Sequence, residues 1–251
     1  MDQSNSLNVF SPRACAAPLV EALEIFTNKT DIGVELSVCS HHCAEPTAER
    51  ADADAAGHDF LVEIAEHGIH DLCISGAEYL LDDGELRGIV QKGRRRLIAY
   101  RQSALVVPAG NPGGIRTLED LAEPGVRVGV SVIDCLKGLW EDVTGRAGLT
   151  EQVARNITFY ATGCVAIVEA VAQREIDVAF GWTAFEHLGE GRLGIVELPP
   201  SRQVCRATSI AMLSYARQPE RAEQLMDFLA TPEARACYDR YRWALPESLQ
   251  A

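Results

Sequence analysis

Short apolar runs closed by glycine, proline or small polar residues alternate with helix-period segments along almost the whole chain, and few architectures accommodate that pattern. "LNVF" is followed by "AAPLVEALEIFTNKT", where Leu19, Leu23 and Phe26 fall at i, i+4 and i+7 on one helical face. "GVELSV" alternates like a strand, "FLVEIAEHG" is helical until Gly68 ends it, and "DLCISG" is a buried-strand run. "SALVVPAG" is a strand closed by the breakers Pro108, Gly110, Pro112, Gly113 and Gly114. "RTLEDLAEPGVRVGVS" reads as a short helix with Thr117 at its N-cap, then a turn and a strand. "GLWEDVTGRAG", "NITFYAT", "VAIVEAVAQRE" and "IDVAFGW" continue the alternation, and two helices broken at Thr231-Pro232 close the chain. Strands separated by helices predict an α/β fold with largely parallel sheets.

The 251 residues are enough for one large domain or two of ordinary size, each with a core. A net charge of -13 argues against a nucleic acid partner, since phosphates need a basic face. The one basic cluster, "KGRRR" at 92–96, reads as a solvated loop. No run of about 18 apolar residues is present, so membrane insertion is not expected. "MDQSNSLNVF" has neither a basic n-region nor an apolar h-region, which predicts a cytoplasmic protein as written. If a signal has been removed, the location is periplasmic or extracellular. The stretch 44–59, rich in alanine and aspartate, reads as an inserted lobe or mobile loop.

Eight cysteines are too sparse for a disulfide scaffold and read as core residues, free thiols or ligands. Cys39 and Cys43 bracket His41 and His42 in "VCSHHCAE", a CxxxC that is open to a metal site, a redox pair or chance. Adjacent histidines point apart, so at most one of them, taken as His42, shares a centre. Cys73 in a buried strand and Cys237 on the last helix read as packing, and Cys205 as core or hinge. His67 and His70 are three apart, but Gly68 between them weakens a second zinc site. No nucleophile elbow, P-loop or dinucleotide fingerprint is present, and no third group orients a Cys-His pair, so the chain does not read as an enzyme.

From about Leu7 to Trp243 the chain resembles the periplasmic molybdate-binding proteins, the solute receptors of molybdate ABC importers. The segments that carry the likeness are "LNVFSPRACAAPLVEALEIF", "IHDLCISGAEYLLDDGELRG", "ALVVPAGNP", "IRTLEDLAEPGVRVGVS" and "REIDVAFGWTAF", in that order. The resemblance implies a two-lobed periplasmic-binding-protein-like fold, each lobe a mainly parallel sheet flanked by helices, with the ligand cleft between them. Lobe 1 would comprise 1–103 and 208–251, lobe 2 residues 104–207. That family holds its oxyanion with hydroxyls and backbone N–H groups. Here the aligned loops carry Ala14 and Cys15, then Cys39 to Cys43, then "SVIDCLKG" with Cys135, then "ATGCVAIVEA" with Cys164, and Trp182 stands where the family has a tyrosine.

Two functions follow. Thiolates suit soft cations rather than oxyanions, so Cys15, Cys39, Cys43, Cys135 and Cys164, with His42, would hold a [4Fe–4S] cluster or a thiophilic metal ion. Arg13 and Lys137 would offset the thiolate charge, and Trp182 would stack over the cleft mouth or pack in the lobe. The protein would then store, deliver or sense the metal or cluster, with a metalloenzyme as recipient. The alternative is a conventional receptor for molybdate, tungstate or a related oxyanion that serves an ABC permease, with incidental cysteines. A thiol–disulfide role for Cys39 and Cys43 lacks thioredoxin-like surroundings.

Overall fold

The computed structural model describes residues 6–39 and 60–249. Cys43, His42 and the stretch 44–59 lie outside the described residues. The chain forms two compact units: the first takes its described residues from Met1–Ser40, His58–Tyr100 and Arg206–Ala251, the second from Arg101–Cys205.

In the first unit, β1 (Ser6–Ser11) pairs in parallel with β2 (Gly33–Val38) on one side and with β3 (Leu72–Ser75) on the other. The apolar stripe read from the sequence forms α1 (Arg13–Thr30), which buries Leu19, Leu23 and Phe26 and accepts Pro18 in its first turns. Pro18 stands one turn too late for its missing N–H to go unneeded, so one rung of the N–H to C=O ladder is absent there. α2 (Phe60–His67) ends at Gly68, whose φ of 58° suits glycine. α3 (Glu78–Leu86) follows β3. β9 (Cys205–Leu213) returns antiparallel to β3, and α7 (Pro219–Leu229) and α8 (Pro232–Arg240) close the unit, with α8 packed on α1. Thr231 caps α8 by accepting from the Ala234 N–H. Asp71, buried before β3, accepts from the backbone N–H groups of Asn8, Arg217 and Gln218 and so ties β1 to the start of α7.

The basic cluster is not a loop. Residues 92–96 open β4 (Val90–Pro108), a 19-residue strand, where Arg94 pairs with Glu223, Arg95 with Glu78 and Asp82, and Arg96 with Glu223 and Asp227. A strand can carry these charges because alternate residues face solvent and acidic neighbours await them.

In the second unit, the later part of β4 lies between β8 (Leu193–Glu197) and β7 (Val178–Trp182), antiparallel to both. β7 pairs in parallel with β5 (Val128–Ser131), and β5 with β6 (Ile157–Ala161). α4 (Leu139–Ala147), α5 (Thr150–Ala154) and α6 (Cys164–Ala172) supply the crossovers. Thr117 is not the cap expected of it: Asp120 instead accepts from the Arg116 and Thr117 N–H groups at the entry to a short 3-10 turn. β8 and α5, both only five residues long, have no counterpart among the elements expected from the sequence. α/β layering with parallel strand triples is present in each unit.

Candidate functional site

Parallel strands present all their carboxyl ends at one edge of a sheet, and the following helices begin there. In the second unit that edge holds Ser131, Ala161 and Trp182, the last residues of β5, β6 and β7. After Ser131 the chain enters a 3-10 turn over Asp134–Leu136, which buries Cys135. After Ala161 it passes Thr162 and Gly163, and α6 starts at Cys164 without a side-chain cap. Gly163 has φ 129°, a conformation that a side chain would strain. These two turns bring the sulfurs of Cys135 and Cys164 to 3.3 Å.

The antiparallel β4–β7 register pairs Ser103 with Trp182 and so carries Arg101 to the same edge. Arg101 is 1% exposed, its guanidinium lies 4.7 Å from the Trp182 ring centroid, and its Nη1 donates to Cys135 Sγ at 3.0 Å. The hydrogen bond from Cys164 holds the Cys135 thiol well below its usual range, and the charge and hydrogen bond of Arg101 add to this against the effect of burial. Cys135 is thus one hydrogen-bond acceptor of the buried Arg101 guanidinium. The Ser131 Oγ is buried and has no hydrogen-bond partner among the described residues, a state that native proteins reserve for sites awaiting water or a ligand.

The first unit offers a second set of strand ends. α1 begins at Arg13 after Pro12, without a side-chain cap, and Ser11 is buried just before it. Ser75 at the end of β3 donates to the Ala77 carbonyl and accepts from the Ala77 N–H. Arg13 is exposed. Cys15 lies buried on the packed face of α1. The Cys39 N–H donates to the Ser11 carbonyl and its thiol to Glu63 at 3.3 Å, inside an apolar cluster with Phe10, Leu61, Ile64 and Cys73. Burial pushes the Cys73 thiol up to about 12, as suits an inert core residue. Cys237 is buried on α8, whereas Cys205 is exposed where β9 starts, not core.

Of the expected cleft residues, the structure therefore brings together Cys135, Cys164 and Trp182. Lys137 is exposed on the turn after Cys135. Cys15 and Cys39 take part in the packing of the first unit. Among the described residues no group of three or more His, Cys, Asp or Glu is placed to hold a metal ion. Arg101 was not anticipated, although the sequence carried a signal. A single arginine opens the run "RQSALVVP", and a charge that enters a buried strand must find a partner.

The chain matches the family model of the bacterial extracellular solute-binding proteins over residues 7–243. It belongs to that family. No curated protein matches it in sequence. Among solved structures it is similar to PEB3 of Campylobacter jejuni with L-phospholactate bound, at 18% identity and TM-score 0.77, covering 95% of this chain and 99% of that one. The Azotobacter vinelandii periplasmic molybdate-binding protein aligns at 18% identity and TM-score 0.71, with 96% and 99% covered. The Mycobacterium tuberculosis sulfate-binding protein SubI aligns at 14% identity and TM-score 0.78, with 98% and 88% covered. At these identities the likeness establishes the fold, that of the periplasmic binding proteins. This solute-binding protein is a member of a binding family rather than an enzyme family, and the cytoplasmic location read from its first residues finds no support in a family of extracellular proteins. No helix among the described residues is long and apolar enough to cross a membrane.

Proposed function

We propose that the protein is the solute receptor of an ABC importer and that it takes a small anion of the oxyanion class, molybdate, tungstate, sulfate or a phosphoryl-bearing metabolite. The observation that carries this reading is Arg101, a buried guanidinium clamped on Trp182 at the carboxyl ends of parallel strands. Its planar fork suits carboxylate, phosphate and sulfate oxygens. The uncapped start of α6 supplies backbone N–H groups to the same edge, and Ser131 supplies a hydroxyl in need of a partner. The structural relatives named for molybdate, sulfate and L-phospholactate are consistent with that class. The family context supports a location outside the cytoplasm.

The iron–sulfur reading, by contrast, retains among the described residues a single supporting contact, that of Cys135 with Cys164. Two thiols fall short of the four ligands that a cluster or a tetrahedral ion takes. No third ligand joins them among the described residues, and the solute-receptor reading replaces the cluster reading.

Calorimetry and thermal denaturation with molybdate, tungstate, sulfate, phosphate and phospholactate test the proposal. One anion at 100 times its Kd should stabilise the fold by about 2.7 kcal/mol. A protein that responds to none of them, and that purifies anaerobically with iron and acid-labile sulfide, would reverse the choice.

A further inference from the structure

We propose that Cys135 and Cys164 form a covalent capture site for a trivalent oxyacid of arsenic or antimony, a second and uncharged class of solute for this protein. The site does not depend on the anion reading above. The two sulfurs lie 3.3 Å apart. Cys135 is buried in the short 3-10 turn after β5, and Cys164 opens α6 partly exposed, so a small reagent from solvent meets Cys164 first. Neither cysteine is tied into a strand ladder.

The spacing selects among soft centres. Two sulfurs bonded to one atom at about 2.3 Å stand about 3.8 Å apart on a tetrahedral ion such as zinc, and about 4.6 Å apart on a linear one such as cuprous ion. At a separation of 3.3 Å, bonds of that length meet at an angle of about 90°. Trivalent arsenic and antimony bond through p orbitals at near right angles, with a lone pair on the remaining side. They take three ligands, and one of these is their own oxygen. A pair of thiols that falls short for a cluster or a tetrahedral ion is therefore complete for such a centre.

Arsenous acid, As(OH)3, is uncharged at neutral pH, so the net charge of -13 does not repel it. The Cys164 sulfur bonds to arsenic, one As–O bond breaks, and the thiol proton leaves with the departing hydroxyl group as water. The Cys135 thiol then repeats the step within the same molecule, at a high effective concentration. The product is one arsenic bonded to both sulfurs and to one hydroxyl, and two waters are released. No electron is transferred, and both sulfurs enter as neutral thiols. The Arg101 Nη1 that donates to Cys135 Sγ at 3.0 Å keeps its acceptor, because a sulfur bound to arsenic retains lone pairs. Ser131 Oγ, buried and without a hydrogen-bond partner among the described residues, offers the remaining As–OH a partner at the same strand ends.

The experiment reduces the full-length protein with a phosphine, which brings no competing thiol, and titrates it with sodium arsenite. Intact-mass measurement counts the bound arsenic, and alkylation with peptide mapping shows which thiols it shields. The expected result is one arsenic per chain with Cys135 and Cys164 shielded, while zinc at the same concentration leaves that pair open to alkylation. Cys164→Ser should weaken capture about a hundredfold or more, the scale of losing one of two linked contacts. Cys43→Ser, which breaks the CxxxC of residues 39–43, should leave capture unchanged. If Cys164→Ser misfolds, arsenic X-ray absorption on the unmutated complex decides: two sulfurs and one oxygen around arsenic support the pair, and three sulfurs or oxygen alone overturn it. Arsenic mapped to other cysteines, or zinc that shields the pair as well as arsenite does, also overturns it. Anion titration of the same protein separates the two readings. Capture without any anion response removes the receptor reading alone, and an anion response without capture removes this site alone.

Discussion

A guanidinium keeps its charge at every accessible pH, so a buried Arg101 needs an anion at all times. In the described structure its Nη1 donates to the Cys135 sulfur, and in the receptor proposed above the solute is a further partner. Arg101→Met should weaken anion binding roughly a hundredfold or more, the scale for truncating one side of a buried charge pair. It should also move the pH dependence of Cys135 alkylation upward, because the thiolate loses its donor. Arg101→Lys should recover only part of the affinity, since an ammonium neither forks nor stacks on Trp182 as a guanidinium does. His70 poses the opposite problem. Among the described residues both its ring nitrogens are buried without hydrogen-bond partners, its ring lies edge-on to Phe10, and His67, Glu63 and Asp71 are the ionisable groups that act on it. Burial lowers its pKa, with the charge of His67 adding to this and the carboxylates of Glu63 and Asp71 opposing it. Its contribution to stability is therefore present in full above about pH 6.5 and is lost as the pH falls toward the lowered folded value. Urea midpoints measured from pH 7.5 to 5 should decline for the natural chain and stay flatter for His70→Phe. A variant profile that runs parallel to the natural one would remove His70 as the cause. Asp71, which accepts three backbone N–H groups, is a plain structural counterpart. Asp71→Asn puts an NH2 among those donors and should cost about 1–3 kcal/mol in urea unfolding.

At the scale of elements, periodicity located the strands and helices wherever a segment was long enough for its pattern to show. α1 carried its apolar stripe over several turns and emerged as read. β8 and α5, five residues each, left too short a pattern and depended on their neighbours for burial. The charged start of β4 ran against strand expectations and became strand because Glu78, Asp82, Glu223 and Asp227 neutralise it. Close packing in the second unit is decided by glycines inside strands. A Cβ on Gly181 of β7 would lie 2.7 Å from a Val106 methyl on β4 and 2.8 Å from the Phe185 ring. Gly181→Ala should destabilise the protein by about 1–3 kcal/mol. Because the register of β4 on β7 positions Arg101, the same variant should also weaken anion binding, as calorimetry would show.

For the whole molecule, the acid limb of stability follows from carboxylates held below their ordinary range. Hydrogen bonds from Arg240 and then Tyr241 lower Glu21, Arg202 lowers Glu119, the backbone N–H groups of Arg116 and Thr117 lower Asp120, and Arg127 lowers Asp177. A carboxylate with a lowered folded pKa contributes stability that is complete above its unfolded value and is lost as the pH falls through the folded one. The pH–stability curve should therefore show a steeper fall below about pH 4, distinct from the His70 step above it. Arg127→Met should shrink the acid step without touching the upper one. These pairs are largely exposed, so added salt should flatten the acid step as well.

The sequence by itself determined the alternation of strands and helices, the burial of Cys73 and Cys237, and the α/β class, because each of these is written in short-range pattern and composition. The resemblance to the molybdate-binding proteins anticipated the family. The tertiary structure alone decided which side chains meet. Cys135 and Cys164 lie 29 residues apart, and Arg101 lies 34 residues before Cys135; strand order and register, not spacing, put them in contact. The same long-range packing took Cys39 into an apolar cluster beside Glu63, although its CxxxC spacing had pointed to a ligand. Local sequence specifies what a residue can do, but its partner is chosen by strand order and register, and both depend on contacts far apart in the chain.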